Sequence, residues 1–272
     1  MSFFLNMLDR LTVVFLRDVM RYRAKVIRTN LQAAFHYPSP KELQTDVNGY
    51  YYFLAKIIRE IISVPSKKRL SRLINLKPSD AVDQWLQEGK CIIITSAHIG
   101  NWEWSGMYMG IKYQVQSAAL YKQIKTGFIN KLMLRRRKLY TDHLIEIGNM
   151  SELLRFIKYK PSILLMIADQ NPGSDQGIVW APFLGRDTAF INGPEKLATK
   201  YKLPVVFLDS ISTPNGGYQL EFKIVSSGNE NTAPGEITKR YMTLLENNIL
   251  MQRTQWLWSH RRWKRNGLYK EI

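Results

Sequence analysis

Cysteine is nearly absent: Cys91 is the only one in 272 residues. That excludes a disulfide framework and a cysteine-based zinc cluster, and it fits a reducing compartment. Acid is scarce too, with 22 Asp and Glu against 39 Lys and Arg and a formal charge of +17. Such a balance implies an anionic partner, whether nucleic acid, acidic lipid, phosphorylated substrate or acidic carrier protein. There is no P-loop and no G-x-G-x-x-G, so nucleotide binding has no support. The G-x-S-x-G elbow of serine hydrolases and the H-E-x-x-H metal spacing are also missing. No low-complexity tract or internal repeat occurs. No uncharged apolar run reaches the ~18 residues of a spanning helix. The N-terminus, MSFFLNMLDRLTVVFLRDVM, is interrupted by Asp9, Arg10 and Arg17, and it lacks the basic start and small-residue cleavage site of a signal peptide.

What is present is a chain that can fill a core, with 45% hydrophobic residues. Positive charge gathers in two places. Lys122–Lys138 holds seven Lys or Arg and no acid, and the last 22 residues hold Arg253, Arg261, Arg262, Lys264, Arg265 and Lys270 against Glu271 alone. Near the N-terminus, Phe4, Leu8, Leu11, Phe15 and Val19 share one helical face. Two placements suit that face: packed on the domain, or lying in a membrane interface with arginines among the headgroups.

The pattern predicts helix over 2–35, ending before Pro38 and Pro40, and a second helix from Ser39 or Pro40 to about Ile62. Residues 63–73 read as a basic connector, and 80–88 as a short helix. CIIIT, at 91–95, is a β-branched apolar run that reads as a buried parallel-type strand. Beyond it, strands at 114–120, 143–148 and 162–168 alternate with helices from Asn101, at 126–140 and at 150–159. A helix at 193–201, two strands joined by a hairpin at Thr213–Gly217, and a helix at 234–250 follow. This order predicts an α/β fold with a mostly parallel sheet sandwiched by helices. The expected organisation is a helical, membrane-associating segment over 1–65 and one α/β domain over 66–272.

The stretch TSAHIGNWEW, 95–104, carries one of four histidines, and Glu103 follows five residues after it. His98 stands just past the carboxyl end of a buried strand, where ligands bind in open α/β sheets. Gly100 permits a tight turn, and Asn101 is a suitable N-cap for a helix starting at Trp102. A turn between His98 and Glu103 lets the carboxylate reach back to the imidazole, fixing its tautomer and leaving the other nitrogen as a base. The spacing alone also fits a capping histidine beside a surface glutamate.

HIGNWE, 98–103, resembles the H-x4-[DE] signature of glycerolipid-type acyltransferases, and more narrowly that of the lipid A biosynthesis acyltransferases. Four further stretches resemble that family in the same order: RYRAKVIRTNLQAAF (21–35), IADQNPG (167–173), APFLGRDTAFINGPEKLA (181–198) and WLWSHRRWK (256–264). The resemblance implies acyl transfer from an acyl carrier protein or coenzyme A thioester to a lipid hydroxyl, without a cofactor or metal. His98 is then the general base and Glu103 its orienting carboxylate. Arg137 or Arg135, with Lys122, is implied to bind the oxyanion or acceptor phosphate, and Asp169 to hold that arginine. Asn101, Arg186 and Arg261 are implied substrate contacts. Residues 105–111 are expected to line an apolar acyl pocket. Tyr121-Lys122 departs from the family's Tyr-Arg, and lysine lacks arginine's forked grip on phosphate.

The implied partners are the thioester donor, an anionic lipid acceptor and the membrane surface, at the cytoplasmic face of a bacterial inner membrane. Peripheral or weakly anchored attachment is expected. The alternatives are a different acceptor lipid, such as a glycolipid, aminolipid or lysophospholipid, or a non-enzymatic basic protein binding membrane or nucleic acid. Trp256, Trp258, Trp263 and Tyr269, interleaved with the C-terminal charges, suit a headgroup interface as well as base stacking. No nucleic-acid fold signature accompanies them, so no nucleic-acid partner is expected.

Overall fold

The computed structural model describes residues 2–63, 65–123, 126–173 and 177–265, with side chains from Met7 onward and excepting Phe128. The Phe4 side chain, Lys125, Tyr269, Lys270 and Glu271 lie outside the described residues. Three helices come first: α1 (Ser2–Val14), α2 (Ala24–Ala34) and α3 (Pro40–Ile62). The single expected helix over 2–35 is in fact divided. A π-turn at Phe15–Val19 leads to a break where Arg21 and Arg23 take positive φ (46° and 50°). Neither proline nor glycine marks that break, so it left no local signal. Helix α3 starts as the Ser-Pro-Lys-Glu order dictates. Ser39 Oγ accepts from the Glu42 amide at 3.3 Å and donates to Glu42 Oε1 at 3.0 Å, with Pro40 in the first turn.

The basic connector contains a short helix, α4 (Lys67–Leu73), and an edge strand, β1 (Ile74–Leu76). Then come α5 (Asp80–Gln87), β2 (Cys91–Ser96), α6 (Trp102–Lys112), β3 (Gln116–Tyr121), α7 (Gly127–Arg137), β4 (His143–Glu146), α8 (Met150–Phe156) and β5 (Ser162–Ile167). An antiparallel hairpin, β6 (Ile178–Phe183) and β7 (Arg186–Ile191), was not foreseen. Pro182 within β6 disguises it, because proline is tolerated only in edge strands. The chain closes with α9 (Gly193–Tyr201), β8 (Val205–Ser212), β9 (Tyr218–Ser226) and α10 (Glu236–Met251).

Seven strands form one sheet in the order β1-β9-β8-β2-β5-β3-β4, parallel throughout except for β8 against β9. The α/β sandwich expected from the sequence is therefore the observed fold. Every residue of β2 is buried, as a central strand covered on both faces requires. The inserted strand is β5, which lies between β2 and β3 although it comes later in sequence. The register Thr95↔Met166 and Ser96↔Ile167 aligns the carboxyl ends of β2 and β5. The loops that follow these two strands are thereby neighbours. One apolar core joins Ile27 and Leu31 of α2 and Tyr50 and Leu54 of α3 to Ile93, Phe183, Phe207, Trp256 and Trp258.

Candidate active site

The turn after β2 is built by its own backbone and by the C-terminal segment. Gly100 has φ +54°, and a Cβ there would lie 2.9 Å from Ser210 Oγ and 3.4 Å from the Tyr218 ring. Both facts call for glycine. Ile99 bridges Trp256, and the Gly100 amide donates to the Gln255 carbonyl at 3.1 Å. The Leu257 amide donates to the His98 carbonyl at 3.0 Å. The tryptophan-rich C-terminus thus forms a brace along the His98 turn.

Asp169 sits two residues past the end of β5, as His98 sits two past the end of β2. Its Oδ1 lies 2.7 Å from His98 Nδ1, and its Oδ2 accepts from the His98 amide at 3.0 Å and from Trp256 Nε1 at 2.8 Å. Burial pushes this carboxyl up, but the His98 charge and the three hydrogen bonds outweigh it and hold the pKa at about 2. An ionised carboxylate only accepts, so the proton between them belongs to Nδ1, and in the neutral ring the lone pair is at Nε2. Gln170 Nε2 stands 3.3 Å from that nitrogen. The His98 side chain is 21% exposed, Asp169 only 2%.

Glu103 does not occupy the position expected for it. Arg137 grips its carboxylate with Nε (2.9 Å) and with a second, short hydrogen bond from the other end of the guanidinium. The first-turn position carries Glu103 along α6 toward α7, while Asp169 comes across the sheet to His98. The carboxylate bonded to His98 is therefore Asp169, which was expected to hold the arginine instead. Burial pulls the Arg137 pKa down and Glu103 raises it, with a net rise.

Of the three neighbouring arginines, Arg137 alone meets Glu103. Arg136 donates to the Ile61 carbonyl, and Arg135 is exposed. Asn101 was implied to touch substrate, but it is fully buried. Its Oδ1 caps α6 by accepting from the Trp104 amide at 2.9 Å, as its N-cap reading required. Its Nδ2 donates to Glu60 Oε2 at 2.9 Å. That Glu60 oxygen also accepts from Tyr218 at 2.6 Å, and Lys56 pairs with the other at 3.3 Å. Glu60 was missed, although it lies in register with Phe53 and Ile57 on an apolar face of α3, a signal for a buried acid. Gln170 and Trp256 lie in the resembling stretches IADQNPG and WLWSHRRWK, but neither was singled out as a neighbour of His98.

A narrow cavity of about 70 Å³ lies beside the histidine. Trp102, whose ring centre is 5.1 Å from that of His98, lines it with Gly106, Met107, Leu120, Glu103 and Arg137. Ser105 joins that wall, whereas Met109 of the expected lining is fully buried in the core cluster that Met107 also belongs to. A larger cleft, about 1050 Å³, opens on the other flank and contains Lys122, Asn171, His260 and Arg261. Arg186 lies apart from His98, bonded to the Ala33 carbonyl at 3.1 Å, and with Arg261 it borders an adjoining groove.

The family model for bacterial lipid A biosynthesis acyltransferases matches residues 1–265. The chain belongs to that family. A comparison with individual curated proteins gave no match. The acyltransferase therefore acts in lipid A biosynthesis, moving an acyl chain to a hydroxyl of a lipid A precursor. The rest of its C-terminal signature can now be placed. Burial lowers the His260 pKa to about 4, and its Nε2 accepts from the Asn171 amide at 3.0 Å, so this ring is neutral near pH 7. Burial also lowers Arg262, to about 10, against the pull of Asp169 and Tyr241. Arg262 donates to the Ala189 carbonyl at 2.7 Å and lies 4.2 Å over the Phe190 ring. Both residues hold the loop and hairpin behind Asp169.

Proposed function

We propose that His98, oriented by Asp169, is the general base of the transfer. The carrying observation is the 2.7 Å contact at Nδ1, which leaves Nε2 facing only the Gln170 amide among the described residues. The acceptor hydroxyl displaces that amide and gives its proton to Nε2 as its oxygen attacks the thioester carbonyl. The tetrahedral intermediate collapses by breaking the C–S bond, and the imidazolium returns the proton to the departing thiolate. An ester and a free thiol result. The carbonyl arrives already activated as a thioester, so the balanced step draws on no metal or cofactor. Arg137, anchored by Glu103 in the cavity wall, supplies positive charge toward the developing oxyanion. The cavity takes the first part of the acyl chain, and the donor is an acyl carrier protein or coenzyme A thioester.

We also infer peripheral attachment to the cytoplasmic face of the inner membrane. No helix among the described residues is long and apolar enough to cross a membrane. Leu8, Leu11, Phe15 and Val19, which share the apolar face read from the sequence, are 38–68% exposed, while Val13 packs into the core. An exposed apolar stripe beside Arg10 and Arg17 suits an interface.

The test is steady-state acyl transfer with purified variants. His98→Gln is expected to lower kcat about 10²-fold or more, with protein that melts like wild type. Asp169→Asn is expected to lose a comparable factor, because an amide at that position no longer stabilises the imidazolium. Retention of more than a tenth of kcat by His98→Gln would remove the base from the mechanism.

A further inference from the structure

Three consecutive residues tie His98 to the large cleft. Asp169 holds Nδ1, Gln170 faces Nε2, and the Asn171 amide is fixed on His260 inside the cleft. Among the described residues, the cleft wall is basic and holds no acidic side chain. Arg21, Arg23 and Lys25 come from the break before α2 and its first turn, Lys122 from the end of β3, and Arg261 and Lys264 from the C-terminal brace. Segments separated by more than 200 residues in sequence converge there. Like charges repel when crowded, so such convergence, with no counter-ion among the described lining residues, favours an anion between them. Helix α2 opens with no side-chain cap and no acid in its first turn, so its positive end adds to the same field. Arg21 and Arg23 both hold left-handed backbone, a strained state for non-glycine residues. Asn171 contributes a side-chain oxygen with no hydrogen-bond partner among the described residues, an acceptor suited to a ligand hydroxyl.

We propose that this cleft binds the acceptor: its basic wall takes the phosphate monoesters of a phosphorylated sugar headgroup, and it presents a neighbouring hydroxyl to His98. This rests on the general-base reading above and adds which side of His98 each substrate uses. The apolar cavity with Glu103 and Arg137 lies on the Trp102 flank, and the phosphate-binding cleft lies on the Asn171 flank. The arginine beside Glu103 is then not the acceptor-phosphate ligand. The side chains that take that part are supplied by the N-terminal break and the C-terminal brace.

The test compares a lipid A precursor carrying its phosphates with the same lipid after phosphatase treatment. Binding is measured in detergent micelles with the inert His98→Gln protein, so that it does not depend on turnover. The phosphorylated lipid is expected to bind at least about tenfold more tightly. Combining Lys25→Gln, Arg261→Gln and Lys264→Gln, all at exposed positions, is expected to abolish most of that preference. Arg21→Gly is the second variant, since it removes a charge while glycine accepts the φ of 46°. In active enzyme the triple variant is expected to raise the acceptor KM and leave the donor KM unaltered. Equal binding of the two lipids, or a preference that survives both variants, overturns the proposal. So does a rise in the donor KM in place of the acceptor KM, which would assign the cleft to the carrier's phosphates. Failure of the general-base reading shows separately, as activity retained by His98→Gln while phosphate-dependent binding persists.

Discussion

Asp169 and Glu103 are both buried carboxylates, and their partners tell them apart. Asp169 receives His98 and Trp256, whereas Glu103 receives Arg137. Removing either leaves a different orphan. Glu103→Gln strips the anion from a largely buried guanidinium, which typically costs about 3–5 kcal/mol. It is expected to lower both melting temperature and kcat while the acid limb of the pH–rate profile stays in place, because no hydrogen bond joins Glu103 to His98. A shift of that limb by about one pH unit or more would restore Glu103 as the histidine's partner. Asp169→Asn has a pH signature of its own. The folded-state pKa, about 2, lies below the ordinary 3.8, so the ionised group stabilises the fold above 3.8 and that contribution is lost as pH falls through about 2. The stability gap between wild type and Asp169→Asn in denaturant titrations is therefore expected to shrink as pH falls from 3.8 through about 2.

At the scale of elements, the C-terminal turn of α3 fastens the helices that carry Glu103 and Arg137. The Glu60 carboxylate binds Asn101 at the start of α6, its carbonyl accepts from Trp104 Nε1 at 3.2 Å, and the Ile61 carbonyl accepts from Arg136 of α7. Tyr218 and Lys56 close the network from β9 and α3, with Lys56 at 2.6 Å from the tyrosine oxygen. Burial lowers the Lys56 pKa, and the Glu60 charge opposes that fall. Glu60→Gln keeps the shape but loses the charge, while Glu60→Leu orphans three polar groups at roughly 1–3 kcal/mol each. Thermal unfolding is expected to rank them wild type, Gln, Leu in falling order. A Leu variant as stable as wild type would show that the network adds nothing.

For the whole molecule, the proposed membrane attachment joins the exposed stripe of α1 and the π-turn after it to the basic surface. In that proposal apolar side chains supply burial, and the excess positive charge supplies attraction to anionic lipid. Replacing Leu11, Phe15 and Val19, which are 61%, 53% and 68% exposed, with serine is expected to leave the melting temperature unchanged. Burial at about 1.5–3 kcal/mol per side chain makes a loss of vesicle affinity of tenfold or more the expected result. Co-sedimentation with vesicles of mixed zwitterionic and anionic phospholipid measures it. Undiminished binding would move the attachment to another surface.

Much of this protein was legible in its residues because the signals were local. β-branched runs mark buried strands, Ser-Pro-Lys-Glu starts a helix, and Gly100-Asn101 makes a turn and a cap within a few residues. Those signals determined the α/β fold and located His98 at the end of its strand. Which carboxylate holds that histidine was not local. It depends on β5 inserting between β2 and β3, and strand order is set by long-range packing of whole faces. Sequence proximity favoured Glu103, but helix geometry carries it toward α7. Parallel register brings Asp169 to the imidazole from 71 positions further along the chain.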